Sequence, residues 1–157
     1  MARWLWLSVA VLALDQISKY AAETLLLLHR PVPVLPPVLD FMLAYNTGAA
    51  FSFLAGAGGW QRWFFIVLAG AVSVALTVWI VRLHAHERRL AVALALVLGG
   101  AVGNLVDRAL WGHVIDFILV HFGDWPFPAF NLADSAITVG AALLVLDSLF
   151  PHRAPDA

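Results

Sequence analysis

The chain has 157 residues, of which 62% are hydrophobic and only 12% charged, and its formal net charge is −1. Soluble domains average about 45–50% apolar and about 25% charged residues, so this chain lacks the polar side chains that would cover a soluble globule. The composition argues against a soluble enzyme, a nucleic-acid-binding protein and a disordered chain. It indicates an integral membrane protein with a single domain, residues 1–157. The absence of cysteine excludes disulfides, thiolate metal sites and thiol nucleophiles.

Four apolar stretches are predicted to be membrane-spanning helices, because about 20 apolar helical residues cross a bilayer core of roughly 30 Å. They lie at about 4–28, 63–81, 90–106 and 130–150. The first also has the apolar core of a secretory signal peptide. However, the polar sequence Asp15-Gln-Ile-Ser-Lys19 follows that core directly and three further spans come later, so we interpret it as a span.

The arginines predict how the chain is oriented, because basic residues concentrate in cytoplasmic loops. Five lie at the chain ends and in the loop between the second and third spans, and three lie in the opposite connections. The first group is Arg3, Arg82, Arg88, Arg89 and Arg153, and the second is Arg30, Arg62 and Arg108. Both termini are therefore predicted to be cytoplasmic.

Two longer connections, residues 29–62 and 107–129, are predicted on the outer side. Residues 38–45 and 114–120 combine apolar, aromatic and β-branched residues, which is typical of strands. Residues 48–54 are predicted to form a short helix that ends in a glycine-rich segment. The predicted fold class is therefore an all-α membrane protein of four transmembrane helices, with a small β-structure and a short helix outside the membrane.

Ionisable side chains inside the bilayer are costly, at least ~2.5–3.5 kcal/mol each at the centre, so they face the protein interior and usually have a function. Asp15 and Lys19 are four residues apart and are expected to form an ion pair, which we interpret as structural. Asn104, Asp107 and Arg108 share a helix face near small residues that let another helix approach. Their spacing fits a structural cluster and a substrate-contacting cluster equally well.

Asn46 and Gly48 lie in a segment with a weak turn signal. The pattern fits a loop cap, and it also fits an amide that binds the backbone of a substrate. The sequence pattern by itself leaves both interpretations open.

Asp116 and Asp134 form the candidate catalytic pair. Asp116 lies in a strand-like apolar run, and Asp134 is one turn into the fourth span, with Asn131 three residues earlier on the same face. Two neighbouring carboxylates can share one proton, so that one acts as base toward water and the other as acid toward a carbonyl. That is the chemistry of aspartic proteolysis.

The alternative is a small four-helix proton-coupled transporter or binding protein, because carboxylates in spans also carry protons and ions. The next acid, Asp147, lies thirteen residues after Asp134, about 20 Å along a helix that rises 1.5 Å per residue. A proton relay would need further ionisable groups between them, which disfavours transport. The chain contains no His-Glu-x-x-His, no Gly-x-Ser-x-Gly and no phosphate-binding loop, so we expect neither a metal nor a cofactor.

Five motifs follow one another between residues 15 and 135. They are Asp15-Gln-Ile-Ser-Lys19, Asn46-Thr-Gly-Ala-Ala-Phe-Ser52, Gly99-Gly-Ala-Val-Gly-Asn-Leu-Val-Asp-Arg108, Val114-Ile-Asp-Phe117 and Phe130-Asn-Leu-Ala-Asp-Ser135. In this order they closely resemble the motifs of the lipoprotein signal peptidases, also called signal peptidase II or prolipoprotein signal peptidase.

The resemblance implies an aspartic endopeptidase of the bacterial inner membrane with four transmembrane helices and an extracytoplasmic β-cradle. Such enzymes remove the signal peptide from diacylglyceryl-modified prolipoproteins, cutting before the lipidated cysteine. The resemblance makes Asp116 and Asp134 the catalytic acids. It places beside them the substrate-site residues Asn46, Gly48, Asn104, Arg108 and Asn131 and the supporting pair Asp15 and Lys19. The implied partners are prolipoproteins, membrane lipids and globomycin-type inhibitors, without nucleic acid.

Overall fold

Four α-helices, one 3-10 turn at Ala2–Trp4 and four strands make up the computed structural model, which describes residues 1–48, 58–123 and 125–150. The helices are Leu5–Leu25 (α1), Trp60–Arg82 (α2), Arg88–Leu110 (α3) and Leu132–Leu149 (α4). The strands are Val32–Leu35 (β1), Leu39–Asn46 (β2), Val114–Phe122 (β3) and Trp125–Pro126 (β4). The four predicted helices and the two predicted strands are confirmed, whereas β1 and β4 were not predicted. The helix predicted over 48–54 falls, apart from Gly48, outside the described residues.

Among the described residues, α2, α3 and α4 are long and apolar enough to cross a membrane, with mean hydropathies of 2.5, 1.9 and 1.6. The helix α1 is not in this group, because polar and charged residues interrupt its second half. Two of its three charged residues, Asp15 and Lys19, are buried inside the protein, whereas Leu14, Ile17 and Tyr20 are exposed. The third, Glu23, is exposed near the end of the helix. The outward face of α1 is therefore apolar in this region.

The helix α3 lies at the centre and contacts each of the other three helices. It buries ten residues, whereas α2 and α4 bury two each. Glycines allow this close packing: a Cβ atom on Gly99 would lie 2.7 Å from Val11 Cβ, and one on Gly103 would lie 2.5 Å from Asp15 Oδ2. Both distances are shorter than a real contact, so α1 approaches α3 only because these positions lack side chains.

The strands form one antiparallel sheet in the order β1-β2-β3-β4. The edge strand β1 contains Pro33, which an edge tolerates because one side of the strand needs no N–H donors. Helices α1 and α3 lead into the sheet and α2 and α4 follow it. The sheet therefore lies at one common end of the four helices.

Candidate active site

Asp116 is held inside the sheet by β3. It lies opposite Ala44 of β2 and is 2% exposed. The Asn131 Nδ2 donates to Asp116 Oδ1 at 2.8 Å, and the Asn46 Nδ2 donates to Asp116 Oδ2 at 3.2 Å. The pKa of Asp116 is raised to about 7, chiefly by burial and also by the nearby Asp134, although the amide donors of Asn46 and Asn131 oppose this shift. This carboxyl therefore retains its proton far more readily than an exposed aspartate.

Asp134 is positioned by the first turn of α4. Asn131 is the N-cap residue: its Oδ1 accepts from the Asp134 N–H at 2.8 Å, and its own N–H donates to Asp134 Oδ2 at 3.4 Å. This reciprocal capping box satisfies two backbone donors that a helix start leaves free. The expectation that both residues lie on one face within a helix is therefore corrected, because Asn131 precedes the helix and contacts Asp134 through the cap.

Two side-chain amides connect the acids. Asn131 Nδ2, which donates to Asp116, also contacts Asn104 Oδ1 at 3.2 Å. The Nδ2 of Asn104 in turn donates to Asp134 Oδ1 at 2.8 Å. Four residues that are distant in sequence thus form one continuous network, Asp116–Asn131–Asn104–Asp134.

A second polar cluster lies against this network. Lys19 Nζ is 2.8 Å from Asp15 Oδ2 and 2.7 Å from Asp107 Oδ2, and all three side chains are at most 2% exposed. The expected ion pair between Asp15 and Lys19 is confirmed. The sequence pattern did not predict that Asp107 also pairs with Lys19. It also did not predict the contact of Gln16, whose Nε2 donates to Asp107 Oδ1 at 2.9 Å. Spacing along α1 could not reveal either contact, because Asp107 comes from another helix.

Arg108 and Gly48 meet at the other side of the site. The Arg108 Nη2 donates to the Gly48 carbonyl at 2.7 Å, and the guanidinium lies over the ring of Phe65 at 5.0 Å. The Gly48 N–H donates to Asn46 Oδ1 at 3.0 Å. The segment that follows β2 is therefore attached both to α3 and to a residue that contacts Asp116.

A cavity of about 520 Å³ opens beside the acids. Its polar wall includes Asn46, Asn104, Arg108 and Asp134. The apolar part of its lining is Val114, Phe127, Pro128, Ala129, Phe130, Ile137 and Val139. Within the described chain, Asp116 does not line this cavity itself, but its partner Asn46 does. Apart from Asp15, which contacts the site through Lys19 and Ala133, each residue of the candidate site lines the cavity or forms a hydrogen bond with a residue that lines it.

The fold and the site together define a class: a membrane protein of packed helices that holds two amide-linked carboxylates beside a cavity. A family model described as signal peptidase (SPase) II matches residues 7–150. The chain belongs to this family.

Relatives of known name are similar over nearly the whole chain. A lipoprotein signal peptidase of Pseudomonas fluorescens is 61% identical over 155 residues, which cover 98% of this chain and 91% of the relative. A lipoprotein signal peptidase of Pseudomonas aeruginosa is 56% identical over 98% of this chain and 92% of its own length.

Solved structures agree in fold. One described as a bacterial membrane enzyme, solved by the in meso method at 2.3 Å resolution, has a TM-score of 0.84 at 29% identity. The alignment covers 100% of this chain and 96% of that structure. A second, solved at 1.9 Å, has a TM-score of 0.83 at 30% identity and covers 97% of this chain and 96% of the other.

Proposed function

We propose that this chain acts as a single domain of the bacterial inner membrane and is an aspartic endopeptidase. It removes the signal peptide from diacylglyceryl-modified prolipoproteins by cutting before the lipidated cysteine. The observation that carries the proposal is the pair Asp116 and Asp134, joined through Asn131 and Asn104 beside the cavity. Membership of the signal peptidase II family and the names of the relatives support the substrate class.

The two acids divide the chemistry according to their surroundings. Asp134 lines the cavity, where water would meet it, and we assign it as the base that takes a proton from the attacking water. Buried Asp116, with its pKa raised to about 7, is assigned as the acid that protonates the scissile carbonyl oxygen. The water oxygen bonds to the carbonyl carbon and forms a tetrahedral intermediate.

Collapse of that intermediate completes the reaction. The C–N bond breaks, Asp134 delivers its proton to the departing nitrogen, and Asp116 recovers a proton from the hydroxyl of the intermediate. Each acid thus ends in its starting state. Because two carboxyl groups activate the water and the carbonyl, this sequence uses no metal or cofactor.

The polar wall of the cavity supplies groups that would bind the peptide. Asn46 and Arg108 carry amide and guanidinium donors that suit backbone carbonyl groups, and Gly48 is held between them. Ile137 and Val139 form an apolar wall on α4 that suits acyl chains or an apolar signal helix. A globomycin-type inhibitor would occupy the same cavity.

We further propose that α1 is a fourth transmembrane helix and that both termini are cytoplasmic, with the site near the outer face. The burial of Asp15 and Lys19 supports this, since an apolar surface of α1 then faces the lipid. The distribution of arginines supports the orientation. Reporter fusions at residues 86 and 120 should localise to opposite sides of the membrane, and localisation to one side would contradict the topology.

The decisive experiment measures cleavage of one purified precursor, with and without its diacylglyceryl group, by the protein in lipid nanodiscs. We expect the unlipidated precursor to be cleaved at least ~10-fold more slowly, because binding energy from remote parts of a substrate supports the chemical step. Asp134→Asn should abolish cleavage, while Asp147→Asn, far from the cavity on the same helix, is the matched control and should cleave normally. Equal turnover of both precursors would contradict the substrate assignment, and an active Asp134→Asn variant would contradict the mechanism.

A further inference from the structure

The buried cluster around Lys19 is attached to the backbone immediately before each proposed catalytic acid. Asp15 Oδ1 accepts a hydrogen bond from the N–H of Ala133 at 2.9 Å, and Ala133 directly precedes Asp134. Asp107 Oδ2 accepts one from the N–H of Ile115 at 3.2 Å, and Ile115 directly precedes Asp116. Two carboxylates thus anchor the two chain segments that carry the reacting groups.

One ammonium group joins these two anchors. Lys19 Nζ contacts Asp15 and Asp107 at 2.8 and 2.7 Å and donates to Asn104 Oδ1 at 3.0 Å. Gln16 of α1 forms further hydrogen bonds with α3, because its Nε2 donates to Asp107 and to the Gly103 carbonyl at 3.3 Å. The anchors come from α1 and α3, so this cluster links two helices as well as the start of β3 and the start of α4.

We infer that Asp15, Gln16, Lys19 and Asp107 form a clamp that sets the separation and orientation of the two acids, and that Asp107 and Gln16 are positioning residues for cleavage. The inference rests on the proposed function and deepens it. Ionic pairs that only hold helices together have no need to end on these two backbone N–H groups. A reacting group misplaced by about 1 Å can lower a rate by 10²-fold, so anchors one residue away from the acids act directly on catalysis.

The test compares Asp107→Asn and Gln16→Leu with a matched control, Ser8→Ala. Ser8 Oγ donates to the Ala95 carbonyl at 2.9 Å and is also a buried contact between α1 and α3, but it lies toward the other end of α1. Each full-length variant is reconstituted in nanodiscs, and its kcat, its KM for the lipidated precursor and its melting temperature are measured. Asp116→Asn is included in the same assay.

We expect Asp107→Asn to lower kcat roughly 10- to 100-fold with KM within about two-fold of the parent value, because the cavity that binds substrate is intact. Gln16→Leu removes the hydrogen bonds that the Gln16 amide donates to Asp107 and to the Gly103 carbonyl, leaves the ion pairs in place and should lower kcat roughly five-fold. If Asp107→Asn does not fold, the kcat of Gln16→Leu alone tests whether the clamp positions the acids. Ser8→Ala should lower the melting temperature and leave kcat unchanged.

The inference is overturned if Gln16→Leu and any folded Asp107→Asn protein melt earlier but keep the parent kcat, as Ser8→Ala does. If Asp116→Asn is inactive while the Asp107 and Gln16 variants keep the parent kcat, the clamp is wrong but the proposed function still holds. An Asp116→Asn variant that cleaves at the parent rate contradicts the aspartic mechanism itself, and the clamp fails with it.

Discussion

The molecule contains two pairs of buried or half-buried carboxylates within one polar region, and the two pairs are compensated in different ways. Asp15 and Asp107 share the ammonium of Lys19 at 2.8 and 2.7 Å. Asp116 and Asp134 have no ion-pair partner in the part of the chain that the structure describes, and neutral amides connect them instead. The same residue type therefore occupies two different electrostatic environments, and Asn104 contacts both of them through Lys19 and Asp134.

The two pairs differ in the groups that compensate each carboxylate. The ammonium of Lys19 lies between Asp15 and Asp107 and compensates their negative charge inside the protein. Amides orient carboxyl groups without neutralising them, so burial and mutual repulsion act on the pair and raise the pKa of Asp116 to about 7. The position of one lysine therefore distinguishes the two pairs, and we propose that the pair without it carries out the proton transfer.

The largest effect is expected from substitutions in the amide-linked pair, Asp116 and Asp134. Asp116→Asn and Asp134→Asn should each reduce kcat by roughly 10³-fold or more, and the double variant should be no worse than the single ones, because the two acids act as one unit. Single-turnover cleavage of the lipidated precursor measures this. Additive losses in the double variant would show that the acids act independently.

The next largest effect is expected when Lys19, the cation that links Asp15 and Asp107, is replaced. Lys19→Met should lower the free energy of unfolding by about 3–5 kcal/mol, because it leaves two buried carboxylates without their shared partner. Reversible denaturation in mixed micelles measures the loss. Lys19→Arg, which keeps the charge, serves as the comparison and should lose less. Equal stability of Lys19→Met and the parent would mean that the cluster contributes nothing to the fold.

The pH dependence of stability tests whether the pKa of Asp116, in the amide-linked pair, is raised. In the folded protein the pKa of Asp116 is raised to about 7, whereas in the unfolded chain it is about 3.9. Its contribution is therefore most favourable below about pH 4 and declines as the pH rises toward about 7. Asp116→Asn removes this titration.

The melting temperature of Asp116→Asn relative to the parent should accordingly rise between about pH 5 and about pH 8. Thermal unfolding of both proteins at the two pH values measures the difference. A constant offset between them would contradict a raised pKa at this position.

The smallest effect tests how closely α1 packs on α3 at the cation-linked pair. Gly103→Ala would place a methyl group 2.5 Å from Asp15 Oδ2 and should cost about 1–3 kcal/mol, as over-packing of a tight core does. Gly70→Ala is the matched control, because no atom lies within 4 Å of the added Cβ. Melting temperatures distinguish the two, and equal values would show that α1 can move away from α3 at no cost.

Local properties of the chain were predictable. The four helices follow from the length of the apolar stretches, and β2 and β3 follow from their aromatic and β-branched content. The pairing of Asp15 with Lys19 follows from a spacing of four residues on one helix. β1 could not be found in this way, because prolines hide an edge strand whose pairing depends on β2.

The sequence by itself determined the membrane character, the order of the main elements, the family motifs and the identity of the two candidate acids. Only the tertiary structure decided that Lys19 is shared with Asp107 and that Asn104 and Asn131 connect the acids. The reason is the range of the interactions. Periodicity records which residues share one helix or strand face, but Asp15 and Ala133 are 118 residues apart and Lys19 and Asn104 are 85 apart, and such contacts arise only when separate elements pack together.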